Sequence, residues 1–323
     1  FLNGSSIIIS DLDDEFNQTG ASFNVQIENN LGAFNINNIP LSSNYINTRV
    51  DGFYFNEVTG KKSSSQITLN GIVDVSDNKS INLNVITHLE KSRVEYLLSN
   101  TDLTFSESKS KAQEEILSIF EVKRDSVDVL SEKMDLSIGN KESRVLLFIS
   151  SILQGYRTES EFSSILAEII SDMKNDGKLD NIEIGSQLIS HAKLLYAEDI
   201  KTNVINRYNE INSSIVVGDI NNLLNNFISN TEFIDSENVI NFPIQDSSGK
   251  QNILATKNLD TINYDSTKSY VFMSKLPVKD MILKVALSAR RLNGVGGGFS
   301  YNTSPQGWNV SGYDYLNDPN QVF

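Results

Sequence analysis

The spacing at which apolar residues recur changes twice along the chain, and this change limits the fold more than any other feature. Up to about residue 75, apolar and polar residues alternate, as around Ile7 and Ile9, with turn-forming residues between the runs. From about Ile86 the apolar residues lie three and four positions apart, which is the spacing of helices. After about Phe233 the alternation typical of strands returns. The chain therefore reads as strands, then helices, then strands.

These three zones predict a multidomain α+β protein. We expect an N-terminal antiparallel β-sandwich in residues 1–85, a central all-α helical domain in residues 86–232 and a C-terminal β-sandwich in residues 233–323, truncated before its final strands. A length of 323 residues also favours several domains, because single cores stop growing at about 250–300 residues. Within the helical zone, Thr158 and Glu161 form a capping-box pattern, Gly155 predicts a helix end, and residues 121–140 lose the helical spacing, which predicts an irregular segment.

Charge and cysteine content exclude several kinds of partner and chemistry. The chain has 41 acidic against 27 basic residues, a formal charge of -14, which opposes binding to nucleic acid and to anionic membrane surfaces. It has no cysteine, so disulfides, thiolate metal sites and cysteine nucleophiles are excluded. No apolar run approaches the length of about 20 residues that spans a bilayer. We expect no nucleic-acid partner and no membrane-spanning helix.

The sharpest chemical pattern is DMKNDGKLDNIE at residues 172–183, between two predicted helices. Aligned with an EF-hand calcium loop, it has Gly177 at the sharp turn and oxygen ligands at Asp172, Asp176, Lys178 through its carbonyl, Asp180 and Glu183. Lys174 is a misfit, because its ammonium stands where a ligand oxygen should meet the ion. The alternative is a helix-to-helix turn, with Asp180 or Asn181 as the next N-cap. Calcium is the one cofactor that the sequence suggests.

Two groups of aromatic residues are candidates for contact with a ligand or partner. Phe53, Tyr54 and Phe55 are consecutive, so a strand must divide them between its two faces; the alternative is packing against the helical block. The second group lies in the glycine-rich closing stretch, where rings can stack on sugars or anchor a protein, with core filling as the alternative. Its members are Phe299, Tyr301, Trp308, Tyr313 and Tyr315.

Catalytic patterns are weak. His88 and His191 are the only histidines, and neither lies in a metal-ligand spacing, so we interpret each as a helix-surface or core histidine. The GVGGG stretch that begins at Gly294 lacks the Gly-Lys-Ser/Thr ending of a phosphate loop. We therefore predict that the protein is not an enzyme.

Several segments resemble a group of surface lipoproteins from Bacteroidetes. The resemblance lies in TGASFNVQIENNLGAFNI, GFYFNEVTG, INLNVITHLEKSRVEYLL, SKAQEEILSIFEV, DGKLDN and KLPVKDMILKVAL. The first domain is similar to the transthyretin-like, carboxypeptidase-regulatory-like modules of that cell surface. The resemblance implies a protein on the extracellular face of the outer membrane, lipid-anchored through a segment before Phe1, that works beside a transporter or other β-barrel.

The same resemblance implies O-glycosylation at triplets that begin with aspartate and continue with serine or threonine. Three triplets match the pattern of that phylum, at residues 125–127, 260–262 and 265–267. The predicted glycan-bearing residues are Ser126, Thr261 and Ser266.

Three functions remain open at this point. The first is a non-enzymatic surface lipoprotein that acts as a structural or docking subunit of an outer-membrane protein complex. The second is a module that binds a glycan or another ligand, and the third is a hydrolase. Outward aromatic residues in a concave groove would favour the second function, whereas a broad apolar patch would favour the first.

Overall fold

The computed structural model describes residues 1–76 and 80–234, together with the strands at residues 298–301 and 308–311. The chain divides into two units, Phe1–Ile240 and Asn241–Phe323. The predicted mixed α+β class is confirmed by an antiparallel sheet near the N-terminus followed by several helices. Most of the predicted C-terminal sandwich lies outside the described residues.

Residues 1–76 form strands whose buried and less buried residues follow the predicted period of two. Their bounds are β1 (Ser6–Leu12), β2 (Gln18–Gln26), β3 (Tyr45–Gly52), β4 (Phe55–Asn56), β5 (Lys61–Lys62) and β6 (Ile67–Asp74). Four of these strands make one antiparallel sheet in the order β2-β1-β3-β6. β4 and β5 pair in a separate two-stranded sheet. In the four-stranded sheet, β2 and β6 are therefore the edge strands.

The helical zone begins where the sheet ends. The helices are α1 (Val85–Asn100), α2 (Phe105–Ile119), α3 (Lys141–Gln154), α4 (Glu159–Met173), α5 (Ile182–Ala192), α6 (Ala197–Glu210) and α7 (Asn221–Asn230). Three short 3-10 turns lie between α2 and α3, at Arg124–Ser126, Ser131–Lys133 and Leu136–Ile138. The predicted irregular segment at 121–140 is thus confirmed.

Side-chain caps set the limits of these helices. The Glu161 N–H donates to Thr158 Oγ1 at 3.2 Å, and the Thr158 N–H donates back to Glu161 Oε2 at 2.8 Å. This is the predicted capping box at the start of α4. Gly155 ends α3 with φ of 48°, a conformation that favours glycine. Both predicted limits are confirmed.

Sheet and helices share one core. α1 and α4 both pack against β6. A buried apolar cluster joins strand residues to helix residues, and its members are Leu12, Ile72, Val94, Leu97, Phe105 and Ala112. The predicted boundary near residue 85 therefore marks the change from strand to helix, and residues on both sides of it contribute to the same core.

Deeper in the helical zone, aromatic rings hold three helices together. Phe120 follows α2, Phe148 lies on α3, and Phe227 lies on α7. Their ring centroids are 6.0–6.3 Å apart, and all three side chains are wholly buried. Such aromatic pairs contribute about 0.5–1.5 kcal/mol each beyond the area that they bury. Residues distant in sequence are thereby fixed around one centre.

In the second unit, the structure describes one hairpin. Its strands are β7 (Gly298–Tyr301) and β8 (Trp308–Ser311), which pair antiparallel. In the register of this pair, Tyr301 is opposite Trp308 and Phe299 is opposite Val310.

Candidate functional site

The predicted calcium loop is the connection between α4 and α5. Asp172 Oδ2 accepts hydrogen bonds from the N–H groups of Asp180, at 2.7 Å, and Asn181, at 3.1 Å. Asp176 Oδ1 accepts from the Lys178 N–H at 3.1 Å. Two of the proposed ligand carboxylates are thus used to brace the backbone of the turn.

Asn181 is the N-cap of the following helix. Its Oδ1 accepts from the N–H groups of Glu183, at 2.9 Å, and Ile184, at 3.3 Å. The helix-to-helix turn that we considered as the alternative is therefore present, with its cap at Asn181. Within the described ranges, no three acidic, histidine or cysteine side chains are gathered so as to hold one metal ion. Calcium binding by residues 172–183 stays a prediction.

An arginine on α1 holds this turn in place. The Arg93 guanidinium binds the Glu115 carboxylate of α2 through two contacts, at 2.7 and 2.9 Å, and donates to the Asn175 carbonyl at 2.6 Å. These hydrogen bonds to Glu115 raise the pKa of Arg93. Gly177 packs closely here, since a Cβ on it would lie 2.1 Å from the Glu115 carboxyl carbon. Nothing in the local sequence pattern reveals this long-range contact.

Only Phe55 of the three consecutive rings lies in a strand, β4, whereas Phe53 and Tyr54 connect β3 to β4, so the prediction that one strand divides them between its faces is wrong. Tyr54 is buried and packs on Phe162 of α4, with centroids 5.6 Å apart, so packing against the helical block accounts for this residue. Phe55 lies under the Arg207 guanidinium, 5.7 Å from its ring centroid. Phe53 is 40% exposed and is the member of the group that faces solvent.

Some of the other predicted site residues lie among the described residues, and some lie outside them. Ser126 ends a 3-10 turn and is exposed, and its glycosylation stays a prediction. Tyr301 and Trp308 are register partners of the β7–β8 pair, and Phe299 is two register pairs away. The remaining predicted residues, Thr261, Ser266, Tyr313 and Tyr315, lie outside the described residues.

A buried ion cluster joins α1, α2 and the irregular segment. The Lys109 ammonium contacts Glu90 and also lies 3.0 Å from Glu132 Oε2, and all three side chains are almost wholly buried. Burial raises the pKa of Glu90, and the ammonium opposes that rise. Burial by itself would lower the pKa of Lys109, but the two carboxylates have the larger combined effect and raise the pKa of this lysine.

Sequence reasoning missed this cluster, although a signal was present. Lys109 lies in one row of α2 with Phe105, Ala112 and Ile116, all of which are buried. A lysine that lies three, four or seven positions from apolar residues of the same helix stands on the apolar face of that helix. A buried lysine needs a carboxylate partner, which is information that the spacing alone does not provide.

Each histidine has a hydrogen-bond partner; His191 is buried, and His88 is partly buried. His88 Nδ1 accepts from the Asn70 N–H of β6 at 3.0 Å, and His191 Nδ1 accepts from the Tyr156 N–H at 3.3 Å. Burial, and then the charge of Lys91, lower the pKa of His88 to about 4. Burial, and then Arg157, lower the pKa of His191. Each ring is therefore a neutral acceptor that satisfies a backbone donor.

Comparison of the chain with known protein families, with curated proteins and with solved structures finds no match. Among the residues that the structure describes, no helix has both the length and the apolar character to cross a membrane.

Proposed function

We propose that the chain is a non-enzymatic docking subunit of a protein complex on the extracellular face of a bacterial outer membrane, held there by a lipid anchor. The observation that carries this proposal is a pair of exposed apolar side chains on adjoining segments. Ile138 is 60% exposed and Val216 is 73% exposed. The two segments touch, because a Cβ on Gly139 would lie 2.5 Å from the Val216 carbonyl oxygen.

A second exposed apolar pair lies elsewhere on the same unit. Leu31 is 60% exposed and Phe53 is 40% exposed. Phe53 O accepts from the Leu2 N–H at 2.9 Å, and Gly32, next to Leu31, lies close to the backbone of Phe1. Single exposed apolar residues are common, whereas adjoining ones favour a surface that contacts another protein.

The buried ionisable groups support a structural role as well. Lys109 neutralises carboxylates inside the core, and the Arg157 guanidinium donates to the Ile152 and Leu153 carbonyls at 2.9 Å, which closes the end of α3. A catalytic acid or base must reach a substrate, and these groups are turned toward other parts of the protein.

The resemblance to surface lipoproteins supports the finer assignments. On that ground we assign the N-terminal strands to a transthyretin-like module and residues 233–323 to a second β-sandwich. The partner is then an outer-membrane assembly such as a transporter or another β-barrel.

Affinity purification from the native membrane tests the docking function. The native chain should retain a membrane protein in stoichiometric amount, and Val216→Lys should lose it because a charge enters the apolar contact. Asn209→Lys, at an exposed polar position of α6, is the matched control and should retain the partner. Recovery of the native chain alone would contradict the proposal.

A glycan-binding function is the second candidate, favoured by the register of the β7–β8 hairpin. Tyr301 and Trp308 are register partners in this antiparallel pair of strands, so two aromatic positions are next to each other. Two adjacent aromatic residues suit the stacking of a sugar ring.

Fluorescence tests this candidate directly, because Trp308 is the only tryptophan in the chain. Titration with soluble polysaccharides should change its emission in a saturable way, and Tyr301→Ala should weaken the apparent affinity about tenfold, on the scale of one lost ring contact. Emission that stays constant across a glycan panel would exclude this binding site.

A further inference from the structure

Among the residues that the structure describes, no strand pairs with the outer edge of β2, so this edge of the four-stranded sheet is open. Next to this strand, the Ile27 N–H donates to Ser5 O at 2.9 Å, and Ile27 O accepts from the Gly4 N–H at 2.8 Å, so the backbone groups of Ile27 point toward β1. Successive residues of a strand point these groups to opposite sides. The N–H and C=O groups of Ser22, Asn24 and Gln26 therefore point away from β1, and all three residues are exposed.

The opposite edge of the same sheet is closed by helix side chains. On β6, the Asn70 N–H donates to His88 of α1, and the Lys109 ammonium of α2 lies 3.4 Å from the Ile72 carbonyl oxygen. Unpaired edge groups are a template for another strand, and proteins ordinarily cover them or interrupt them with charge or proline. The sheet is protected on the β6 side by buried side chains.

The sequence of β2 carries none of these protective features. QTGASFNVQ contains no charged residue and no proline. Acidic residues stand beyond both ends of the strand, with Asp14 and Glu15 before it and Glu28 after it, and all three are exposed. The first basic residue of the chain is Arg49. The open edge is thus an uncharged strand framed by negative charge.

We propose that the Ser22–Gln26 edge of β2 binds an extended segment of a partner protein by strand addition, and that this segment has an uncharged middle and a basic residue at each end. The proposal rests on the docking function and specifies its mode of contact. Main-chain hydrogen bonds to the three outward residues supply affinity, and the acidic ends select the basic flanks.

Charge also favours a segment with basic ends over a second copy of the chain as the occupant of this edge. Antiparallel pairing of two β2 strands would bring the end that carries Glu28 on one copy toward the end that carries Asp14 and Glu15 on the other, so that acidic residues gather at both ends of the contact. Like charges held opposite each other across strands are destabilising. A segment with basic ends is instead attracted to the acidic residues at both ends of β2.

The test uses the full chain and two synthetic peptides, Lys-Thr-Val-Thr-Val-Thr-Lys and its counterpart with glutamate at both ends. Asn24→Pro removes an outward N–H without removing a hydrogen bond to β1. Asn24→Thr is the matched control, because it keeps that N–H, and Ser22→Pro is a second blocking variant. Circular dichroism and thermal unfolding confirm that each variant is folded.

The basic-ended peptide should slow amide hydrogen exchange at Ser22, Asn24 and Gln26. It should bind Asn24→Pro and Ser22→Pro about tenfold or more weakly than Asn24→Thr, and the acidic-ended peptide should bind the native chain about tenfold more weakly. Equal affinity for the proline variants, protection at other residues, or no binding overturns the proposal. A concentration-dependent dimer that protects the same amides without peptide also overturns it, in favour of a second copy.

The same variants separate this inference from the docking function. If Asn24→Pro and Asn24→Thr retain the native membrane partner equally, docking stands and strand addition fails. If the peptide results hold but the native chain recovers no partner from the membrane, strand addition stands and the docking function fails.

Discussion

Replacing Lys109 by methionine tests the buried cluster that joins α1, α2 and the irregular segment. The lysine side chain is wholly buried between Glu90 and Glu132, which are also almost wholly buried. Methionine fills similar volume but leaves two carboxylates without their counter-charge. Breaking a buried ion pair from one side costs about 3–5 kcal/mol. That is a large part of a typical unfolding free energy of about 5–15 kcal/mol.

The pH dependence of this loss has a defined sign. Burial raises the pKa of Glu90, and Lys109 opposes the rise, so the pKa increases further when the lysine is removed. A carboxyl whose pKa is higher in the folded state than in the unfolded state stabilises the fold at low pH, and this contribution is lost as the pH rises through the folded-state pKa. Lys109→Met should therefore regain part of its lost stability as the pH falls from neutral toward the ordinary pKa range of a glutamate carboxyl.

Urea unfolding followed by helical circular dichroism measures the loss at each pH. Lys111→Met is the matched control, because Lys111 is exposed on the same helix, and its effect should stay within about 0.5 kcal/mol. Adding Glu90→Gln to Lys109→Met should recover part of the loss by removing one buried charge. The reasoning is refuted if Lys109→Met loses no more stability than Lys111→Met, or if its loss is unchanged on acidification.

Three further predictions concern local features. Gly177→Ala should destabilise the protein by about 1–2 kcal/mol in thermal unfolding, because φ is 78° and the added Cβ would collide with Glu115; an unchanged midpoint would contradict this. Asn181→Ala should cost about 0.5–2 kcal/mol by removing the cap of α5, and Asn181→Asp, which keeps an acceptor, should cost less. His88 has its pKa lowered from 6.5 to about 4, so the folded state binds fewer protons than the unfolded state, and stability should fall by about 1–3 kcal/mol as the pH drops through this range. His88→Gln should flatten that part of the pH profile of stability. An equally steep profile would argue against the assignment.

The helices could be predicted because their signals are local. The capping box of Thr158 and Glu161, the helix end at Gly155 and the loss of spacing in residues 121–140 all act within a few residues along the chain. The alternation of strand residues such as Ile7 and Ile9 is equally local. These features recur in the structure where the sequence places them.

The arrangement around the 172–183 turn could be predicted in part. Asn181 was among the expected caps, and it fulfils that role. The hydrogen bonds of Asp172 stay within the turn, whereas Arg93 and Glu115 fix it from α1 and α2, and this long-range contact could not be predicted from local spacing. A ligand pattern specifies residue types at a spacing, whereas the folded turn decides which partner each carboxylate binds.

By itself, the sequence determined the order of strands and helices, several helix limits and the absence of thiol chemistry, since each depends on composition or on neighbours along the chain. Tertiary structure alone decided the strand order β2-β1-β3-β6, the burial of Lys109 between two glutamates and the exposure of one sheet edge. These depend on which distant segments cover each other. β6 is closed by α1 and α2 while β2 stays open because the helices that follow β6 pack on its side of the sheet.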